Sequence, residues 1–171
     1  MQDEDEIAFR EFVTARMPHL RRIAYLVCGD WHLAEDAVAT AMAKLYVAWN
    51  RAQQSGRLEA YAKTMVLRCV IDERRRPWSR ETSHGGQLPE LVGSDRTGEI
   101  DDRLVLQRAL AGLPRGRRAV LVLRFYEGLS VEETAEVLGC STGNVKSQTA
   151  RGLAMLRDAL PQGFLALHGG M

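Results

Sequence analysis

Between residues 139 and 157 the chain reads GCSTGNVKSQTARGLAMLR, with cations at Lys146, Arg151 and Arg157 and no acid. A solvated helix usually mixes charge signs to gain pairs four residues apart. An acid-free helix is suited instead to a polyanion. On a helical wheel Val145, Thr149, Gly152, Leu153 and Leu156 share one side, by the rotation of about 100° per residue. Asn144, Ser147 and Arg151 fall opposite, flanked by Lys146 and Gln148. Lys and Arg reach phosphates, while Arg, Asn and Gln match base edges in the major groove. Thr142 stands beside Ser141 at the positive helix end, where backbone N–H groups favour a phosphate. The chemistry these residues can do is duplex reading.

Such a helix must be held out by a scaffold, and the preceding residues supply one. Ser130 and Glu133 make an S-x-x-E capping box for a short helix running to Leu138. Gly139 suits the left-handed position that closes it, and Ser141 caps the next helix. Helix, three-residue turn, helix is the spacing of a helix-turn-helix, with Ala135 and Leu138 facing Val145. Ahead of it the pattern predicts a helix over 101–112, then Leu113-Pro114. A further helix carries Val120, Leu121, Leu123 and Phe125 and ends at Gly128.

The first half is helical by the same periodicity. Residues 7–27 put Ile7, Phe12, Leu20, Ile23, Leu26 and Val27 on one stripe, and Gly29-Asp30 breaks the chain. A helix over 31–49 buries Ala34, Ala37/Val38, Ala41, Leu45 and Ala48/Trp49, leaving Glu35, Asp36, Ala39, Thr40 and Lys44 outside. A polar loop, RAQQSGR (51–57), leads to a third helix over 58–76 with Tyr61, Met65, Cys69 and Val70 as its apolar line. Between the halves, charge switches from +4 over 57–80 to −5 over 81–102, in a Gly- and Pro-rich stretch without periodicity. The expected organisation is all-α: a helical domain over 1–80, an acidic flexible linker over 81–100, a second helical domain over 101–160, and a tail over 161–171. Phe164, Leu165 and Leu167 leave two options for the tail, packing back on the domain or fraying.

The bulk numbers narrow the class of protein. A chain of 171 residues with 46% hydrophobic content has room for one medium or two small cores. Net charge of +1 rules out a uniformly basic nucleic-acid binder, so any DNA contact rests on local patches. Cys28, Cys69 and Cys140 are isolated, with no disulfide or zinc spacing. His19, His32, His84 and His168 are scattered singly, and no HExxH or Gly-rich phosphate loop occurs. Neither a cofactor, a metal nor a catalytic residue is expected. The chain opens MQDEDE and holds no apolar run of membrane-spanning length, so a cytoplasmic protein without membrane contact is expected.

The stretch LAGLPRGRRAVLVLRFYEGLSVEETAEVLGCSTGNVKSQTARGLAMLR (110–157) closely resembles the C-terminal promoter-binding domain, region 4, of bacterial RNA polymerase sigma factors of the extracytoplasmic-function group. LRRIAYLVCGDWHLAEDAVATAMAKLYVAW is similar to that family's N-terminal domain, region 2, and EAYAKTMVLRCVIDERRR to its promoter-opening helix. The likeness is strongest to the small SigE-type branch common in actinobacteria. It implies that the chain binds core RNA polymerase and promoter DNA without being an enzyme. Glu35, Asp36, Thr40 and Lys44 would dock on the clamp helices of the largest (β′) subunit, with the β flap as a second polymerase contact. Arg57, Tyr61, Lys63, Arg68, Arg74, Arg75 and Arg76 would bind the −10 element, since cations and stacking groups suit a single strand. Lys146, Ser147, Ala150 and Arg151 stand at the family's −35-reading positions. An anti-sigma protein covering these surfaces is common in the family, though not universal. Members commonly carry a Gln-Glu pair where Ala39 and Thr40 stand, and Asn where Arg68 stands.

Two other readings stay open on the sequence. A helix-turn-helix regulator acting without core polymerase shares the LS…VLG…VK pattern, but the first half shows no alternating strands to match a phospho-acceptor domain. An all-helical protein-interaction adaptor would not need an acid-free face.

Overall fold

The computed structural model describes residues 3–75 and 97–164, with side chains described over 3–72 and 101–164. The described residues are helical throughout, without strands, and form two compact units. The first holds α1 (Asp3–Cys28), α2 (Trp31–Val47), α3 (Trp49–Gln54) and α4 (Leu58–Arg75). The second holds α5 (Thr97–Ala111), α6 (Arg115–Leu121), α7 (Val131–Leu138) and α8 (Thr142–Ala159). The expected linker lies largely outside the described residues, as do Arg76, Leu165 and Leu167.

In the first unit α1, α2 and α4 pack on one another through small side chains. Ala34, Ala37 and Ala41 of α2 are fully buried, and methyl groups there let neighbouring helices approach closely. Leu20, Ile23 and Val27 of α1, Leu45 of α2 and Val66, Leu67 and Val70 of α4 fill the space between. The α1–α2 corner is fixed by two local devices. Gly29 takes φ 72° and donates its N–H to Tyr25 O at 2.7 Å, and Asp30 Oδ1 accepts from the Leu33 N–H at 3.0 Å. Trp49 is the largest buried side chain, with Phe9 and Phe12 ring centroids 5.2 and 5.8 Å away.

Several sequence expectations need correction here. The helix expected over 31–49 ends at Val47, and the chain turns at Ala48 before α3 begins at Trp49. Most of the expected loop 51–57 is therefore helix, leaving Ser55, Gly56 and Arg57 as the connection. Burying Trp49 from a fresh helix start orders these otherwise polar residues. In α4 the buried line is Ala62, Val66, Leu67, Cys69 and Val70; Tyr61 and Met65 are half-buried on the adjacent face. Alanine at 62 satisfies the same helical spacing as Tyr61, and the smaller residue fits the tight approach of α2. Ile7, expected on the α1 stripe, is 59% exposed.

In the second unit Val120, Ala135 and Val145 form a buried cluster, joined by Val131, Leu138 and Cys140. Gly152 lets α8 lie against α6: a Cβ there would stand 3.2 Å from Leu121 Cδ1 and Cγ. The helix α6 opens at Leu121 into a π-type turn over Val122–Tyr126. That wider turn advances the helical register, so Phe125, expected on the apolar line, is turned out and 60% exposed. The helix α5 starts at Thr97, before the expected 101.

Candidate nucleic-acid interface

Each end of the recognition segment is set by backbone chemistry. The Ser130 hydroxyl accepts from the Glu133 N–H at 3.0 Å, and Glu133 Oε2 accepts from the Ser130 N–H at 2.7 Å. Both halves of the capping box are thus made, worth about 1 kcal/mol for the Ser cap alone. Gly139 closes α7 at φ 64°, ψ 41°, and the Cys140 N–H reaches back to Ala135 O at 3.0 Å. The Ser141 hydroxyl then accepts from the Asn144 N–H at 3.1 Å, opening α8. Fully buried Val145 pins α8 to Ala135. That anchor decides which side of α8 faces water.

Thr142, Asn144, Lys146, Ser147, Ala150 and Arg151 are all exposed, and Gln148 is half-buried at the margin. The seven candidates expected to read duplex DNA therefore share the outer side of α8. Thr149 turns inward and its hydroxyl donates to Val145 O at 2.7 Å, which satisfies it within the helix. Acids in this region sit on α7 instead, at Glu132, Glu133 and Glu136. An anion approaching α8 meets Lys146 and Arg151 first.

In the first unit an open cleft of about 570 Å³ runs along α4. Lys44, Ser55, Arg57, Tyr61, Arg68 and Asp72 supply its polar lining, with Ala60, Thr64, Met65 and Cys69 between. The structure thus brings Arg57, Tyr61 and Arg68 together along one cleft. Lys44, expected on the polymerase-facing side of α2, joins them: its Nζ lies 3.7 Å from Cys69 Sγ. Lys63 does not line the cleft and pairs with Glu59 at 3.5 Å, a carboxylate that also holds Arg16 at 3.0 Å. Arg74 and Arg75 lie in the last turn of α4, beyond the described side chains.

Ser55, Thr64, Met65, Cys69 and Asp72 were not expected in a site. A second helical stripe would have found most of them: 57, 61, 64/65, 68 and 72 recur at three and four residues. On α2, Asp36, Ala39 and Thr40 are exposed, while Glu35 is half-buried and pairs with Arg21 at 3.3 Å. Val47, 87% exposed, ends that same surface.

Both units match known families in chain order. Residues 12–80 match Sigma-70 region 2, and residues 103–156 match Sigma-70, region 4. The chain belongs to the sigma-70 family of RNA polymerase sigma factors. It is 37% identical to the RNA polymerase sigma-E factor of Streptomyces coelicolor, over 90% of this chain and 86% of that one. It is 28% identical to the ECF RNA polymerase sigma factor SigM of Mycobacterium tuberculosis, over 91% of this chain and 79% of that one. Its fold is similar to the sigma factor RpoE of Bartonella quintana, solved in complex with the anti-sigma factor NepR. The TM-score is 0.65 at 22% identity, over 89% of this chain and 96% of that one. The extracytoplasmic-function resemblance stands, and a region 2 match on the first unit speaks against both a stand-alone helix-turn-helix regulator and an adaptor. As a sigma factor the chain works with core RNA polymerase on promoter DNA. No helix among the described residues is long and apolar enough to cross a membrane.

Proposed function

We propose that this sigma factor divides promoter recognition between its two units. The outer side of α8 reads the −35 element as duplex, through Asn144, Lys146, Ser147, Gln148 and Arg151 in the major groove. Thr142 sits where the α8 N-terminus meets a phosphate. The α4 cleft holds the −10 element as a single strand, with Arg57 and Lys44 on the backbone, Tyr61 for stacking and Arg68 at a base edge. Lys63, Arg74 and Arg75 extend the positive field along α4, and Arg76 follows them in the sequence. The exposed side of α2 at Asp36 and Thr40, with Glu35 beside it, docks on the clamp helices of the β′ subunit, and the second unit meets the β flap.

The observation that carries this reading is a cleft gathering Lys44, Arg57, Tyr61 and Arg68 in a chain whose other unit presents a helix without an acid from Thr142 to Arg157. The first is shaped for splayed bases and the second for a groove. The protein performs no catalysis of its own; binding energy offsets the unstacking of −10 bases. It acts in the cytoplasm, where the polymerase is. An anti-sigma protein fits as a further partner, since the Bartonella quintana sigma factor of similar fold was solved with one.

The test is reconstitution. The purified chain, added to core polymerase and a library of random promoters, should yield transcripts from templates sharing two motifs at fixed spacing. Transcripts no different from those of core enzyme alone would overturn the reading.

A further inference from the structure

Lysine is scarce in this chain, at positions 44, 63 and 146 alone. Lys63 pairs with Glu59, and Lys146 stands on the outer side of α8. Lys44 instead stands over a sulfur. From α2 its Nζ donates to Cys69 Sγ on α4 at 3.7 Å. A thiolate is the nucleophilic form of cysteine, and a neighbouring cation favours it. An amine can also give up its proton and attack an electrophile, which a guanidinium cannot do.

Access to this sulfur is size-selective. Cys69 is 3% exposed, yet it lines the open cleft of about 570 Å³. A small oxidant such as a hydroperoxide can reach it through the cleft, while the thiol of another protein cannot. Cys28 and Cys140 line no part of that cleft; the Cys28 thiol donates to Asp30 O at 3.1 Å, at the α1–α2 corner. Lys44 is exposed and unbranched, so rotation of its side chain can close the remaining gap to Cys69.

We propose that Lys44 and Cys69 form a reversible sulfur–nitrogen bond when a hydroperoxide enters the cleft, and that this bond weakens the cleft's hold on DNA. In the first step the Cys69 thiolate attacks one peroxide oxygen. The S–O bond forms, the O–O bond breaks, and the departing hydroxide takes a proton from the Lys44 ammonium to leave as water. Cys69 is then a sulfenic acid and Lys44 a neutral amine. In the second step Lys44 Nζ attacks the sulfur, the S–O bond breaks, and the hydroxyl leaves as water with a proton from the nitrogen. Sulfenic acids condense with nitrogen in this way. Overall the pair loses two hydrogens, and one peroxide is reduced to two waters. Two equivalents of a small thiol reverse it, restoring Cys69 and Lys44 and leaving as their disulfide. The bond removes the Lys44 charge and ties the side chain to the cleft wall. Its effect on DNA rests on reading the cleft as the −10 strand site; the bond itself does not.

The experiment treats the full-length chain with hydrogen peroxide, removes the peroxide, and divides the sample. Peptide mapping should find Lys44 joined to Cys69, lighter by two hydrogens than the separate peptides, and dithiothreitol should release them. Transcription with core polymerase should fall by about threefold or more, as expected for loss of one charged contact, and recover with dithiothreitol. Cys69→Ala should transcribe as the wild type does and ignore peroxide. Lys44→Arg should yield no link, with Cys69 gaining oxygen instead. A wild-type Cys69 that only gains oxygen, or does not change, overturns the proposal. If Cys69→Ala fails to fold, Lys44→Arg decides, since a reversible change of the same mass in that variant would exclude Lys44 as the partner. A linked chain that still transcribes fully would overturn the effect on DNA and strike Lys44 from the −10 reading, whereas an absent link leaves that reading intact.

Discussion

At the scale of single residues, recognition and packing separate on α8. Arg151 is exposed and opposite the buried side, so its side chain is available to DNA and contributes little to the core. Arg151→Ala should lower transcription from a matched promoter by about tenfold or more, the value of one good base contact at roughly 1–3 kcal/mol. The same variant should bind core polymerase and melt as the wild type does. Equal loss on promoters with a scrambled −35 element would show that Arg151 holds only phosphate. One turn inward the opposite logic applies. A Cβ at Gly152 would already press on Leu121 at 3.2 Å, so the larger side chain of Gly152→Val should overpack α6 against α8. The expected cost is about 1–3 kcal/mol, read as earlier thermal unfolding of the second unit, with the first unit's transition unchanged.

At the scale of elements, each face of a helix carries a different job, and this is where the sequence was least legible. The caps at Asp30, Ser130, Gly139 and Ser141 were readable because each depends on one residue and its immediate neighbours. The outer side of α8 was readable because Val145 and Gly152, the buried residues of that helix, lie on one side and fix its rotation. The rotation of α4 was not, since Tyr61-Met65-Cys69 and Ala62-Val66-Cys69 obey the same spacing and only the tight packing of α2 chooses between them. For the same reason the cleft residue Asp72 escaped notice. Phe125 was misplaced because nothing in its own residue type signals that the helix widens at Val122. The exposed side of α2 illustrates the consequence for function: its core side is Ala34, Ala37, Val38, Ala41, Met42 and Leu45, and its outer side carries Asp36, Ala39 and Thr40. Asp36→Lys reverses charge at an exposed position without touching the core. It should weaken capture of core polymerase by about tenfold, as expected when a close charge pair in an interface is inverted, while leaving helicity intact. An unchanged pull-down would remove α2 as the docking side.

At the scale of the whole molecule, the near-neutral net charge of +1 and the local patches belong together. A uniformly basic chain would bind any DNA through released counterions. Here local basic clusters on α8 and in the α4 cleft stand against acids in the first turn of α1, on α7 and over 81–102. Neither unit then needs to hold a promoter by itself. A covalent connection makes the second contact intramolecular, with an effective concentration on the order of millimolar for a short flexible tether. Separate fragments 1–80 and 101–171 should each fold to a helical unit, because the buried clusters draw on residues of one half only. Mixed at micromolar concentration with core polymerase, they should support transcription at least about tenfold below the linked chain, the lower end expected when tethering is lost. Raising the fragment concentration should restore part of that activity. Full activity from the unlinked pair at micromolar concentration would mean that one unit alone carries the affinity, and that its partner adds only a preference among sites already bound.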